Sequence, residues 1–185
     1  VPSMHMLTER WSPADLAAAL LPRRNWRPYP PASDHAAWSS LPASVRSELI
    51  SAGEEAAAQE WPALPARLFL EFVRTGNRRI YEAASFQRRS ICAALVLAEC
   101  ADGKQRFADA IVDAVWSLCE ESFWGISAHL HMQEAGAGLP DTEDPVVDLF
   151  AAETGALLSW TLYLLGDLFD SISPLLRERL HREID

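Results

Sequence analysis

Five side chains that could bind a sugar lie within a short stretch of this chain. Glu120 and Glu121 supply carboxylates, Trp124 supplies a ring that could stack on a sugar, and His129 and His131 supply imidazoles. Carboxylates in a cleft hold hydroxyl groups or stay protonated as acids. The stretch therefore predicts a substrate-binding cleft, whose residues bind rather than transfer protons.

Each of these residues also has a structural interpretation. Glu120 and Glu121 fall in the last turn of a predicted helix, where carboxylates oppose the helix dipole at about 0.3–1 kcal/mol each. A salt bridge to an arginine of a neighbouring helix would offset that cost. Trp124 could cap the core beneath a loop. His129 and His131 would point the same way on an extended segment and could share a metal, but solvated histidines are the simpler reading. We therefore predict no metal and no cofactor.

The elements that must position these residues are helices. No segment alternates as a strand with turn chemistry, so the pattern predicts an all-α fold. The predicted helices cover approximately residues 13–21, 42–59, 65–74, 78–101, 104–123, 145–168 and 174–184. Short breaks after the fourth and the sixth of these helices predict antiparallel hairpins. The stretch between the fifth and sixth helices has no helical pattern, and ordered loops of that length are often functional.

The apolar positions predict how the helices are buried. Helix 42–59 carries a stripe of Val45, Leu49, Ala52 and Ala56. Helix 145–168 is apolar nearly all round, which predicts burial on most of its faces. Few other helices remain to cover it. The chain is therefore expected to be part of a larger helical array or one half of a tight oligomer.

Length and composition exclude several classes of protein. The 185 residues suit one folded domain, residues 41–185, preceded by an irregular segment, residues 1–40, with one short helix. A net charge of −10 disfavours nucleic-acid binding. No apolar run approaches the length that spans a bilayer, and Val1–Leu7 lacks the pattern of a signal peptide. We expect a cytoplasmic protein with no nucleic-acid or membrane partner.

The three cysteines support that expectation. Cys92, Cys100 and Cys119 are odd in number and lie on apolar helix faces. This pattern is typical of small core residues in a reducing compartment rather than of a disulfide framework.

Charged residues on two helices have alternative interpretations. Arg78, Glu82, Ser85 and Arg89 share one face by helical spacing, and Arg78 can pair with Glu82 at i, i+4. This face is either solvated and self-paired or a strip that binds a polyanion. Glu153 interrupts an apolar helix, where a carboxylate needs a partner. It is either a link to another helix or a cleft residue.

Several segments together resemble the N-terminal helical region of heparinase II/III-family proteins. They are Leu70–Asn77, Ala98–Cys100, Cys119–Ser122 with Trp124, Ala128 with His129, and Val146–Thr154. The resemblance spans roughly residues 41–184. It implies an incomplete (α/α) toroid of helical hairpins in this chain, with a β-sandwich domain following in the family. It also implies β-elimination on uronic-acid polysaccharides, in which a base removes the proton beside the carboxylate and an acid protonates the leaving oxygen.

The resemblance implies binding residues but no catalytic residue in this chain. The family's catalytic Asn or His and Tyr would be expected on later toroid helices, and Tyr29, Tyr81 and Tyr163 match no catalytic motif. The implied partners are an acidic polysaccharide or oligosaccharide, and either a second copy or C-terminal domains of the same protein. Two alternatives remain: a non-catalytic all-α module that binds a protein or itself, and a small enzyme that uses the two histidines.

Overall fold

A computed structural model describes residues 10–22 and 25–185. These residues form helices and contain no strand, which confirms the all-α prediction. The chain divides into two compact units, Val1–Pro30 and Pro31–Asp185. Val1–Leu7, for which no signal peptide is expected, lies outside the described residues. Arg23 and Arg24 lie outside them as well. The predicted boundary after residue 40 stays a prediction.

The first unit contains helix α1, Pro13–Ala19. The Ser12 hydroxyl accepts a hydrogen bond from the Asp15 amide at 3.1 Å, and the Asp15 carboxylate accepts one from the Ser12 amide at 3.2 Å. This reciprocal capping satisfies two amides that the first turn leaves unpaired. The predicted helix start at residue 13 is confirmed.

The second unit carries the remaining named elements. They are α2 His35–Ser39, α3 Ala43–Ala57, α4 Arg67–Thr75, α5 Arg79–Asp102, α6 Ala108–Cys119, a 3-10 helix Ser127–Met132, α7 Leu149–Ile172 and α8 Pro174–Ile184. Gly76 and Gly103, with φ of 75° and 65°, end α4 and α5 in the left-handed conformation that glycine adopts without strain. The predicted helices match to within a few residues, except for α6 and α7. Helix α6 is four residues shorter at each end than predicted, and α7 begins and ends four residues later. Helix α2 and the 3-10 helix were not predicted.

Helix α5 is the centre of this unit, because α3, α6 and α7 all pack against it. Helix α3 approaches it at Gly53, where an added Cβ would overlap the Cβ of Ala98. The close approach fixes which face of α3 is inside: Gly53 and Ala56 are buried, whereas Val45 and Ala52 are exposed. The predicted stripe on this helix was therefore wrong at two positions, because glycine had not been counted as an interior residue.

Two pairs of consecutive helices lie side by side. Helices α5 and α6 pack against each other across a short link, and so do α7 and α8, whose junction is capped by Ser173. In addition α5 contacts α7, and α6 contacts α8. The first helices of the two pairs are thus neighbours, and so are the second helices.

The interior consists of two hydrophobic clusters. The main core lies among helices α5, α6, α7 and α8. It includes Leu95, Ile111, Leu118, Leu165 and Phe169. All three cysteines are buried and free, as predicted. A smaller core, defined by Phe69, Tyr81, Ile126 and Leu130, brings α4 and the start of α5 against the 3-10 helix.

Helix α7 is less buried than its composition predicts. Thr154, Leu158 and Thr161 face the interior, but Leu149 and Trp160 are exposed. Among the described residues, α7 is the one helix that is long enough and apolar enough to cross a membrane, judged by length and composition alone. Of its most apolar 18-residue stretch, 33% is buried. Core helices of soluble proteins meet the same criterion. The expectation that no run reaches this length is corrected, and the absence of a membrane partner stays a prediction.

Candidate functional site

The chain leaves α6 at Cys119, four residues before the predicted helix end. Glu120 caps the helix and Glu121 lies beyond it, which corrects the prediction that both fall in its last turn. Trp124 follows farther along the chain. Glu120 is exposed, and its Oε1 accepts a hydrogen bond from Trp116 Nε1 at 2.8 Å. Both carboxylates therefore lie at the C-terminal end of α6, the negative end of its dipole, and a nearby positive group is needed to offset that cost.

Glu121 forms a buried ion pair with two arginines of α5. Its Oε1 accepts from Nη1 of Arg88 and from Nη1 of Arg89, each at 3.0 Å. Its Oε2 accepts from Nη2 of Arg89 at 2.6 Å. Only 6% of the Glu121 side chain is exposed. The salt-bridge interpretation therefore accounts for Glu121, whose two oxygens are already occupied.

The same two arginines reach other elements. Arg88 Nε donates to the carbonyl of Pro62 at 2.6 Å, and Arg89 Nε donates to Thr154 Oγ1 at 3.1 Å. We call Arg88, Arg89 and Glu121 the charge junction. It ties α5 to the segment before α4, to the end of α6 and to α7. Charge-assisted hydrogen bonds of this kind are shorter and stronger than neutral ones.

Two predictions about the helix faces around the junction need correction. The Arg78–Glu82 pair forms at 2.9 Å, as predicted, but Glu82 and Ser85 are buried, so this face is not solvated. The link from α7 to α5 is made by Thr154, whereas Glu153 is exposed. The uncharged hydroxyl sits inside because it costs less to bury than a carboxylate.

The phenol of Tyr81 lies beside the junction. Burial raises the pKa of Tyr81 well above its ordinary value of 10.0, and the negative charge of Glu121 raises it further. Arg89 and Arg88 act in the opposite direction. The phenol is therefore a neutral hydrogen-bonding group, and it is not poised to give up its proton near neutral pH.

Trp124 is held against the main core. Its Nε1 donates to the carbonyl of Leu118 at 2.9 Å, so the core-capping interpretation describes its contacts. It also lines an open cavity of about 540 Å³, whose charged lining residues are Glu121, Asp141 and Glu183. This acidic lining suits hydroxyl groups better than it suits an anionic sugar.

His129 is paired with a buried carboxylate. Its Nδ1 lies 2.7 Å from Asp148 Oδ2, and the Asp148 side chain is 2% exposed. Asp148 also accepts from the amide of Ile126 at 3.3 Å and caps α7 through the amide of Ala151 at 2.8 Å. A carboxylate at Nδ1 fixes which ring nitrogen faces the protein, so Nε2 is left for other partners.

The two histidines do not share an orientation. They lie on the 3-10 helix rather than on an extended segment, and their rings are perpendicular with centroids 6.4 Å apart. His131 is exposed, and its Nδ1 lies 3.0 Å from the carbonyl of Ala128. Among the described residues, no group of three or more His, Cys, Asp or Glu side chains could hold a metal ion.

Aromatic rings continue from His129 across the surface. The His129 ring lies 5.6 Å from Phe150, and Phe150 stacks on Phe86 of α5 at 5.1 Å. Phe86 is exposed, and Phe150 is half-buried. We call Phe86, Phe150, His129 and His131 the aromatic row. Exposed rings of this kind offer stacking surfaces, a role that the sequence had suggested for Trp124.

A second cavity, the Trp61 cavity, shares Glu121, Ser122 and Phe123 with the cavity beside Trp124. Its volume is about 370 Å³, and its lining comprises Trp61, Leu64, Phe69, Tyr81, Arg88, Ser117, Glu120, Glu121, Ser122 and Phe123. The indole Nε1 of Trp61 is buried and has no hydrogen-bond partner. An unsatisfied buried donor costs about 1–3 kcal/mol. The Arg88 guanidinium lies over the indole at 5.3 Å.

Sequence reasoning missed Asp148, Arg88 and Trp61 as site residues. Asp148 was detectable, since an aspartate just before an apolar helical pattern is a helix cap. Nothing in the spacing of Arg88 distinguishes it from Arg79. Trp61 precedes a proline, a pattern that by itself indicates a turn. The structure thus brings Glu120 and Glu121 to one cavity, and His129 and His131 to a separate row.

No model of a known protein family matches this chain, and no curated protein matches it either.

Proposed function

We propose that this chain is the N-terminal helical part of a heparinase II/III-like polysaccharide lyase that acts on acidic glycans by β-elimination. In this proposal the chain contributes binding residues and is inactive alone. Its hairpins form part of an (α/α) toroid. The substrate-binding residues are Glu120, Glu121, Trp124, His129 and His131, with Glu121 acting through the arginines that it holds.

The packing of consecutive helices is the observation that carries the proposal. In an (α/α) toroid, successive hairpins stand side by side, so that one helix of each forms an inner ring and the other an outer ring. The contacts of α5 with α7 and of α6 with α8 fit that arrangement. A four-helix bundle could have the same contacts, with α5 and α8 on one of its diagonals. The presence of further hairpins therefore distinguishes a toroid from a bundle.

The aromatic row supports a glycan as the ligand. Phe86 and Phe150 give an apolar surface beside His129, and the His129 Nε2 is available to a sugar hydroxyl. Sugars bind by stacking one face on aromatic rings and by hydrogen bonds from their edges. The row offers both in one place.

A lyase assay tests the proposal directly. Absorbance of the unsaturated uronate product is followed for this chain and for the full product of its reading frame, on several uronic-acid glycans. We expect no product from this chain and product from the full protein on at least one glycan. A full protein that is inactive on all of them contradicts the proposal.

His129→Ala in the full protein tests the assigned role. Loss of a binding residue raises KM while kcat stays close to the wild-type value. His181→Ala is the matched control, because His181 is exposed on α8 and lines neither of the two cavities. A fall in kcat with KM unchanged would instead assign proton transfer to His129.

The second candidate is a self-associating helical module, and the exposed apolar side chains favour it. Phe86 and Leu97 share one face of α5, and Leu149 and Trp160 share one face of α7. The Phe86–Phe150 stack joins the two faces at one end. Sedimentation equilibrium of this chain should then show a dimer that Leu97→Glu dissociates. A monomer at all concentrations excludes this candidate.

A further inference from the structure

Glu99 of α5 is a buried carboxylate that has no cationic partner. The residue is 3% exposed, and its oxygens accept from the amide of Gln105 at 2.7 Å and from the amide of Phe107 at 3.1 Å. These two bonds position the carboxylate but bring no counter-charge. Four other carboxylates, with side chains 2–10% exposed, each contact a nitrogen of an arginine, a lysine or a histidine: Glu82, Asp102, Glu121 and Asp148. Glu99 forms no ion pair with any residue that the structure describes, although buried charges are usually paired.

The Glu99 carboxylate lines a cavity that is distant from the charge junction. Glu99 follows Arg89 by ten residues on α5, which is about 15 Å along the helix axis. The cavity has a volume of about 230 Å³ and lies between the turn from α5 to α6, the segment that begins α2 and the last turns of α7. We call it the Glu99 cavity. Its titratable lining residues are His35, Glu99 and Asp167, and its apolar walls are Ala32, Leu164, Leu165 and Leu168.

The charged groups of this lining favour a positive ligand. Glu99 and Asp167 are both carboxylates, and the lining includes no described arginine or lysine. His35 is exposed and forms no ion pair with either carboxylate among the described contacts. Arg177 lies near Asp167, but it is already paired bidentately with Asp170. The cavity therefore holds negative charge that its own walls do not neutralise.

An organic ammonium group matches this cavity better than a metal ion does. Within the described part of the chain, no group of three or more His, Cys, Asp or Glu side chains could hold a metal. An ammonium group needs fewer ligands, since a single carboxylate can accept its hydrogen bond and each oxygen of Glu99 has a lone pair left after one amide bond. Its alkyl stem can lie on apolar side chains while the charged end is paired.

We propose that the Glu99 cavity binds a short aliphatic amine. The ammonium group donates to Glu99, Asp167 adds a second negative charge, and the alkyl stem packs on the leucines of α7. The volume of about 230 Å³ is below the roughly 300–1,000 Å³ of drug-sized sites, which favours a small unbranched ligand. This site is independent of the proposed lyase activity, whose binding residues lie elsewhere.

Titration of this chain with n-butylammonium chloride, followed by NMR of the backbone amides, tests the proposal. The amides of Gln105 and Phe107 report directly on the site, because each donates to an oxygen of Glu99. We expect n-butylammonium to shift both signals in a saturable way. The neutral analogue n-butanol should bind about tenfold more weakly or less, because it lacks the charge that Glu99 pairs with.

Potassium chloride at the same concentration is the ionic control. A chain with a net charge of −10 attracts all cations to some extent, and this attraction should not shift the two amides in a saturable way. An equal response to n-butanol or to potassium, or no response to n-butylammonium, would overturn the proposal.

A pair of variants on α7 separates the cavity from the general charge of the chain. Asp167→Asn should weaken n-butylammonium binding about two- to fivefold, since Asp167 is exposed and its charge is screened by water. Glu153→Gln removes an exposed carboxylate that does not line the cavity and should leave the binding unchanged. Equal losses in the two variants would show that the amine responds only to net charge and would overturn the proposal.

Two further variants locate the ligand. Glu99→Gln should weaken binding about tenfold or more, but it also alters an acceptor of the turn before α6. Ser171→Phe leaves Glu99 in place and adds a ring at the exposed edge of the cavity, so it should abolish the shift even if Glu99→Gln fails to fold. Unchanged binding in Ser171→Phe, or in a folded Glu99→Gln, would place the amine elsewhere and overturn the proposal.

Discussion

The charge junction and the His129–Asp148 pair both provide partners for a nearly buried carboxylate, but the partners differ. In both, a carboxylate with little exposure is held by a nitrogen donor from another element. Both carboxylate oxygens of Glu121 accept hydrogen bonds from two arginines that are themselves nearly buried. The carboxylate oxygens of Asp148 cap α7, accept a hydrogen bond from a loop amide and contact a histidine that is 29% exposed.

The difference is between holding elements together and presenting a group to solvent. The junction connects α5, α7 and the segments around α4 and α6, and its failure would expose charge inside the protein. The His129 pair fixes one loop and one ring, and it leaves the other ring nitrogen accessible. We therefore expect stability to depend most on the junction and ligand contact to involve His129.

Glu121→Gln should have the largest effect on stability. It keeps the shape of the side chain but leaves two nearly buried guanidinium groups without a counter-charge, which costs about 3–5 kcal/mol of unfolding free energy. Urea unfolding followed by circular dichroism measures the loss. Glu153→Gln, on the exposed face of α7, is the control and should stay within about 0.5 kcal/mol of the parent. Equal, small effects of both would show that the junction is not structural.

Asp148→Ala should cost less, about 2 kcal/mol. It removes the cap of α7 and leaves the buried amide of Ile126 without an acceptor. Asp148→Asn keeps a capping oxygen and should recover about half of the loss. If the alanine variant destabilises more than Glu121→Gln, the ranking of the two regions is reversed.

The free energy of unfolding at alkaline pH should depend on Tyr81. The pKa of its buried phenol is raised above 10.0, so the folded protein keeps a proton that the unfolded chain loses. Its contribution is complete below pH 10 and falls as the pH rises above that value, by at most about 1.4 kcal/mol per pH unit. Unfolding free energies at a series of alkaline pH values should fall less steeply in Tyr81→Phe. Parallel curves would contradict a buried, protonated phenol.

Arg177→Gln should have the smallest effect. The Arg177–Asp170 pair is bidentate, at 2.7 and 2.8 Å, but Asp170 lies at the surface. Exposed pairs contribute little because water and salt screen them. The midpoint of urea unfolding should not move beyond experimental error. A shift comparable to that of Glu121→Gln would show that burial is not what distinguishes the junction.

The sequence predicts the helices far better than it predicts their faces. Helix α5 and the cap at Ser12 follow from local patterns, since apolar spacing and capping chemistry act over a few residues. The buried face of α3 does not, because it is decided by the contact of Gly53 with a helix distant in sequence. Helix α7 reads as fully buried by composition, yet its burial depends on how many neighbours surround it.

The candidate site shows the same division. An arginine partner for Glu121 could be anticipated from the cost of a carboxylate at a helix end, but the identity of that partner could not. The orientation of His129 and His131 could not be anticipated either, because the 3-10 helix is held by the packing of Ile126 and Leu130 into the small core and follows no periodic pattern. Trp61 gives no sequence signal of an unpaired indole.

The small core of Phe69, Tyr81, Ile126 and Leu130 has a consequence for the way the molecule opens. It is separate from the main core, and the charge junction links α5 to the segment before α4 and to α7 beside it. Amide protons of α4 and of the 3-10 helix should then exchange with deuterium through a partial opening that leaves α5, α6 and α7 protected. Breathing motions of that kind would widen the entrance beside Trp61 without unfolding the rest of the protein.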